Sequence, residues 1–253
     1  MQQARVHGLS PSASWSDVGV LDLEVQAIAP WLNDGDRVLD VGCGNGYSTL
    51  QYASRKEITI RGIDYVEESI RQANVRLARL PAPLRGSAEF AVGDVTALDA
   101  EPENAYDRVI GTRVIINVGP WPAQRAALQA CGRVIKSGGL LLLSEATLQG
   151  WTKLNAFRAE WNLPKIPMPA FNSYLDENRV IEVMSETFEL LELVNFASTY
   201  YVGTRVLKPL LSGALGNIVD VADPNLHWNR WWASLPAWGD YGTQKLFVFR
   251  KTR

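Results

Sequence analysis

Three glycines at alternating positions, Gly42, Gly44 and Gly46, follow the apolar run Val38, Leu39 and Val41, and Asp40 lies inside that run. Glycines where a strand turns into a helix let the backbone approach a ligand closely, and the helix start offers free N–H groups. Asn45 completes the loop. A dinucleotide fingerprint counted from Gly42 requires glycine at position 47, which is Tyr47. The pattern D-x-G-x-G-x-G instead sets a carboxylate beside the loop. That charge suits a ligand carrying an ammonium group and repels a pyrophosphate. Two more aspartates, Asp64 and Asp94, each close a short apolar segment. A carboxylate at Asp64 suits two vicinal hydroxyls, or it caps the helix that follows at once.

Other candidates stand at the far ends of later apolar runs. Thr112 and Arg113 follow 106–111, and Glu145 closes 140–145. In open α/β sheets ligands bind at the carboxyl ends of the strands. Thr112 and Arg113 are therefore candidate cofactor or acceptor contacts, and Glu145 is a candidate base. His227 is the other candidate base, histidine being the side chain most often used in that role. Trp228, Trp231 and Trp232 have helical spacing; with Tyr200 they could form a platform for a ring or sugar, or simply pack a core. Cys43 and Cys131 have no metal-type spacing, and His7 and His227 are remote from both in sequence, so no metal is expected.

The frame that must position these residues is an alternation. Helical patterns cover 20–32, 47–54, 67–80 and 122–134, and strands cover 38–41, 58–63, 88–92, 106–111 and 140–145. Ser137-Gly138-Gly139 breaks the chain before the last of these. Strand–helix alternation of this kind predicts a parallel sheet with both faces covered. Residues 147–172 carry Pro164, Pro167 and Pro169 and read as too broken for a long helix. A helix near 176–186 and strands at 188–196 and 245–250 follow, with an irregular, Trp-rich stretch at 198–243 between the two strands.

Over roughly 20–146 the sequence resembles the class I S-adenosylmethionine-dependent methyltransferases, with the elements in that family's order. The resemblance implies that Asp40, Gly42, Gly44, Asn45 and Gly46 wrap the methionine portion of S-adenosylmethionine. It implies that Asp64 binds the ribose hydroxyls, that Tyr65 lies against the adenine, that Asp94 accepts from the adenine amino group and that Val95 flanks the ring. It also implies a doubly wound, Rossmann-like, mostly parallel seven-stranded sheet in the order 3-2-1-4-5-7-6, within an α/β fold. Two positions depart from the pattern: Ser137 stands where proline is frequent, and Asn117 where many small-molecule members carry histidine.

The chain has 253 residues and a formal net charge of −2, which gives no basic excess for binding nucleic acid. No apolar run is long enough for a membrane span, and the start has no apolar leader, so a cytoplasmic protein is expected. The expected layout is one domain, 1–253. An arm at 1–18 precedes a cofactor-binding core at 20–146, and insertions at 147–175 and 198–243 form a lid over the strand ends. The expected reaction is in-line methyl transfer to an oxygen of a small or sugar-like acceptor, leaving S-adenosylhomocysteine. N-methylation of a small amine and a binding subunit without turnover are the alternatives.

Overall fold

Seven strands form one sheet in the order β3-β2-β1-β4-β5-β7-β6. The computed structural model describes residues 17–216 and 220–252, so the expected arm at 1–18 lies outside the described residues except for its last two positions. The strands are β1 (Arg37–Val41), β2 (Thr59–Asp64), β3 (Ser87–Val92), β4 (Tyr106–Thr112), β5 (Ile135–Ala146), β6 (Phe188–Val194) and β7 (Gln244–Lys251). β7 is antiparallel to both of its neighbours, and the remaining pairs are parallel. The helices that position the site are α1 (Val18–Ile28), α2 (Tyr47–Arg55), α3 (Glu67–Ala78), α4 (Trp121–Val134), α5 (Leu148–Glu160), α6 (Glu177–Met184), α7 (Ser198–Val202), α8 (Lys208–Ala214) and α9 (His227–Ala233).

Both faces of the inner strands are buried, which explains the apolar runs of β5 and β7, while the edge strands β3 and β6 stay partly exposed. Leu39, Val41, Val109, Leu141, Leu143 and Phe247 pack on one side with α4 and α6. The alternate residues Val38, Ile60, Ile110, Leu142, Leu246 and Val248 pack on the other side with α1, α2, Leu154 of α5, and Tyr200 and Tyr201 of α7. Side chains alternate with period two along a strand, so one short run serves two cores.

Three local readings are corrected. The glycine break at 137–139 is a bulge inside β5: Tyr106 pairs with Ile135 and Arg108 with Leu140, and Gly138 takes a φ of 77°. The segment 147–172 does hold a long helix, α5. Its three prolines all lie beyond Glu160, and Thr147 caps its start by accepting from the Gly150 N–H at 3.0 Å. The stretch 198–243 is largely helical, running through α7, a five-residue π-helical turn (Gly203–Leu207) and α8, and later α9. Pro209 follows Lys208 just beyond the π-helical turn, and the Arg205 carbonyl four residues before it accepts from the Arg158 guanidinium in place of the N–H that proline lacks.

Both inserted segments arise at the carboxyl edge of the sheet. The first leaves after β5, and the second joins the end of β6 to the start of β7. Thr147 ties their bases together: its N–H donates to the Thr243 carbonyl at 3.0 Å, and its hydroxyl donates to Glu177 at 2.7 Å. Within the second segment, any Cβ on Gly203 would overlap the Trp232 ring. Gly203→Ala is expected to cost about 1–3 kcal/mol, read as a lowered urea midpoint with an unchanged denaturant slope.

Candidate active site

The glycine loop is held by its own backbone. Gly42, Gly44 and Gly46 all take positive φ, 73°, 54° and 73°, where a side chain would be strained. The N–H groups of Gly42 and Cys43 both donate to the Ile63 carbonyl, at 2.8 and 3.0 Å, fixing the loop to β2. Arg76 of α3 braces it from outside, donating to the Asn45 carbonyl at 3.1 Å with its guanidinium 5.5 Å from the Tyr47 ring centroid. Tyr47 in turn donates to Asp22 of α1 at 2.9 Å. Cys43 is buried and its thiol is pushed well up by burial, so it is no nucleophile.

Asp64 is half-buried at the end of β2 and accepts from the Gly44 N–H at 3.0 Å and the Val66 N–H at 2.8 Å. The helix-cap reading is corrected: the cap position of α3 is Val66, and Asp64 instead closes the turn before the helix and anchors the centre of the glycine loop. Burial raises its pKa against the opposing effect of those two N–H groups. Tyr65 beside it is 68% exposed, a ring face open to solvent. Asp94 is exposed and accepts from the N–H and hydroxyl of Thr96 at 2.8 and 2.7 Å, whereas Val95 packs into the core with Ile63 and Leu98.

Asp40 lies beneath the loop, buried, and accepts from the Thr49 hydroxyl of α2 at 2.5 Å. Burial pushes its pKa up to about 7, with Glu24 and Asp64 adding to the shift and Arg113 opposing it. Glu145 is likewise raised by burial, to about 8. Both groups therefore hold protons in the folded state that they lack when unfolded, so stability falls as pH rises from about 4 through 8. Replacing Asp40 by asparagine is expected to flatten part of that slope, measurable as urea midpoints between pH 5 and 8.

Glu145 is corrected from a candidate base to a positioning group. It is fully buried, and its oxygens receive the N–H groups of Val114, Ile115 and Ile116 at 2.8, 2.7 and 3.4 Å. Those three residues follow Arg113, which has a φ of 52° and ends β4. Arg113 donates its N–H to the Ser144 carbonyl at 2.8 Å and pairs with Glu24 of α1. Glu24 is fully buried and also accepts from the Ser144 hydroxyl at 2.6 Å. Thr112, opposite Ser144 in the register, is buried at the same edge.

The expected acceptor platform is otherwise employed. Trp228 donates its indole N–H to the Gly203 carbonyl at 2.9 Å, and Trp232 packs between Trp228 and Trp231 with centroids 5.9 and 5.1 Å away. Only Trp231 of the three is largely exposed, at 56%. Tyr200 is buried, donating to Asp17 at 2.6 Å and accepting from Asn229 at 2.9 Å, so both sides of its hydroxyl are filled. His227 opens α9 on its exposed side. A cavity of about 1000 Å³ runs between α1 and the second insertion, lined among others by Asp22, Leu23, Phe196, Asn229 and Leu235.

Sequence reasoning missed Glu24, Thr49 and Arg76. A signal existed for Glu24, a lone carboxylate on the apolar face formed by Val20, Leu21, Val25 and Ile28. Among the described residues no cluster of three or more His, Cys, Asp or Glu is placed to hold a metal, and no helix is long and apolar enough to cross a membrane.

Residues 38–139 match the methyltransferase domain family. The strand order is that of the class I S-adenosylmethionine-dependent methyltransferase fold, and the match to the domain family covers about two fifths of the chain. A ubiquinone biosynthesis O-methyltransferase of Paracidovorax citrulli is 33% identical over 120 residues, covering 47% of this chain and 47% of that protein. The chain thus matches just under half the length of this relative. Among solved structures, a protein of Pyrococcus horikoshii aligns over 99% of both chains with a TM-score of 0.62 and 16% identity. The magnesium protoporphyrin IX methyltransferase of Synechocystis, solved with bound S-adenosylhomocysteine, aligns over 92% of this chain and 84% of its own, with a TM-score of 0.59 and 16% identity.

Proposed function

We propose that the chain transfers a methyl group from S-adenosylmethionine to an oxygen of a small acceptor. The observation that carries this reading is the joining of the glycine loop to Asp64 through the Gly44 N–H, with Asp40 buried behind it. That donor set fits the group: a carboxylate with spare lone pairs for vicinal hydroxyls, a second carboxylate for an ammonium, and an exposed ring at Tyr65 for a base. When bound, S-adenosylmethionine supplies an electrophilic sulfonium methyl. The chain's own residues hold it, orient the acceptor and exclude water, and in such reactions alignment accounts for much of the rate.

The acceptor is a small molecule, and the insertions at 147–175 and 198–243 cover it as a lid. Trp228 and Trp232 pack against Gly203 and each other, which leaves Trp231 as the exposed ring of the three. Amine methylation and cofactor binding without turnover are the competing outcomes of one experiment. Purified protein is incubated with methyl-labelled S-adenosylmethionine and a fractionated small-molecule extract. Label recovered as an acid-stable ether supports oxygen transfer; label on an amine, or binding with no label transferred to any fraction, overturns it.

A further inference from the structure

The cavity of about 1000 Å³ between α1 and the second inserted segment is separate from the residues that hold the cofactor: neither the glycine loop nor Asp64 nor Tyr65 lines it. Its walls are mainly apolar. Leu23 and Ala27 come from α1, Val194 and Phe196 from the end of β6 and just beyond, and Ala233 and Leu235 from the end of α9 and just beyond. Phe196 is buried and the other five are half-buried. Protein interiors hold few voids larger than a water molecule, and a chamber of this size with apolar walls matches the sites that take small organic ligands.

Both walls are fixed from behind. Glu24 of α1 pairs with Arg113 and accepts from the Ser144 hydroxyl at 2.6 Å. Asp17, at the start of α1, accepts from Tyr200 at 2.6 Å and from Arg205 at 2.5 Å. On the opposite wall, Asn229 of α9 accepts from Lys208 at 3.0 Å, and the Trp228 indole donates to the Gly203 carbonyl at 2.9 Å. The turn beyond α9 is clasped by Thr199, whose hydroxyl donates to the Pro236 carbonyl at 2.8 Å and accepts from the Trp238 N–H at 2.7 Å. Collapse of one wall onto the other is opposed by these bonds, several of which involve buried charged groups.

The polar part of the lining already serves the fold. Asn229 donates to the Tyr200 hydroxyl at 2.9 Å, Arg230 donates to the Asn225 carbonyl at 2.6 Å, and the Ser234 hydroxyl donates to the Trp231 carbonyl at 2.7 Å. What the chamber offers a ligand is therefore mostly apolar surface, which selects an apolar molecule. Asp22 joins the chamber to the cofactor loop: it lines the wall and accepts at 2.9 Å from Tyr47, the residue directly after Gly46. The chamber thus lies beside the support of the glycine loop.

We propose that this chamber binds the body of the methyl acceptor, and that the acceptor is a largely apolar small molecule. This deepens the O-methylation reading and rests on it.

The test titrates the full chain, saturated with S-adenosylhomocysteine, with N-phenyl-1-naphthylamine, an uncharged aromatic whose fluorescence rises when it leaves water. Saturable binding is expected. Leu235→Arg sets a charge in the wall and Ala233→Trp fills the space, and each is expected to weaken probe binding about tenfold. Affinity for S-adenosylhomocysteine, measured by calorimetry, is expected to be unchanged in both variants. Leu235 lies in the turn beyond α9, so its variant reports even where Ala233→Trp fails to fold. No saturable binding by the wild-type protein overturns the proposal, as does unaltered binding by Leu235→Arg. Loss of cofactor affinity in step with probe binding also overturns it, by showing a structural role. Incubation with methyl-labelled S-adenosylmethionine and a cell extract, followed by partition between water and ethyl acetate, keeps the two readings apart. Label is expected in the ethyl acetate layer, reduced about tenfold by Leu235→Arg. Label confined to the water layer overturns the apolar acceptor and leaves methyl transfer standing, whereas failure to bind S-adenosylmethionine overturns methyl transfer itself.

Discussion

Asp64→Ala is expected to weaken S-adenosylmethionine binding about 100-fold, since hydrogen bonds to a charged group are worth about 1.5–3 kcal/mol each. Two losses combine. The carboxylate no longer meets the ligand hydroxyls, and the Gly44 N–H loses the partner that holds the loop centre at 3.0 Å. Asp64→Asn keeps one acceptor oxygen and is expected to lose about tenfold. Calorimetric titration at pH 7.5 measures both. An Asp64→Ala protein within threefold of wild type would sink the ribose role and leave Asp64 as a brace between the glycine loop and the turn before α3.

Glu145→Ala should produce the largest loss of stability, about 3 kcal/mol or more, because each buried N–H left unpaired costs about 1–3 kcal/mol. Three such groups depend on this one carboxyl. Glu145→Gln retains an oxygen for Val114 and Ile115, whose bonds are the two short ones, and turns an amide NH2 toward Ile116, so a loss of about 1 kcal/mol is expected. Urea unfolding separates the two variants. Equal losses would mean that the loop after β4 finds other partners or water. The same carboxyl supports an unusual neighbour, since Arg113 occupies a left-handed conformation that costs a non-glycine residue about 1 kcal/mol.

The strand–helix alternation was legible because the inner strands β1, β4, β5 and β7 are largely buried on both faces and each helix on one, which leaves runs and periodicities that a single sequence displays. The strand order was not: it came from the resemblance, through the D-x-G-x-G-x-G loop and the aspartates that follow. α5 was hidden because Pro164, Pro167 and Pro169 weigh on any window that includes them, although the helix stops at Glu160 before the first. The site divides the same way. Residue type and strand-end position pointed to Asp40, Asp64 and Glu145. Which lone pairs remain free depends on contacts from distant segments, such as residues 114–116 reaching Glu145. Tyr200 and Tyr201 are adjacent and both buried, and only the placement of Asp17 and Asn229 shows which of the two hydroxyls is tied into the fold.

The tie at Thr147 bears on how this scaffold can be varied. Both inserted segments leave and re-enter the sheet at one edge, and their bases are already closed by Thr147, Leu175 and Thr243. The entropy of holding their ends together is thus met by a few backbone bonds, and doubling the length of either excursion costs only about 0.6 kcal/mol more. Added length is tolerated at exposed turns beyond those anchors, whereas Leu154, Tyr200, Tyr201 and Val206 pack on the sheet and have to be kept. Chimeras joined at 147, 175 and 243 that keep those packing residues are expected to retain the sheet and the glycine loop, read as an unchanged urea midpoint.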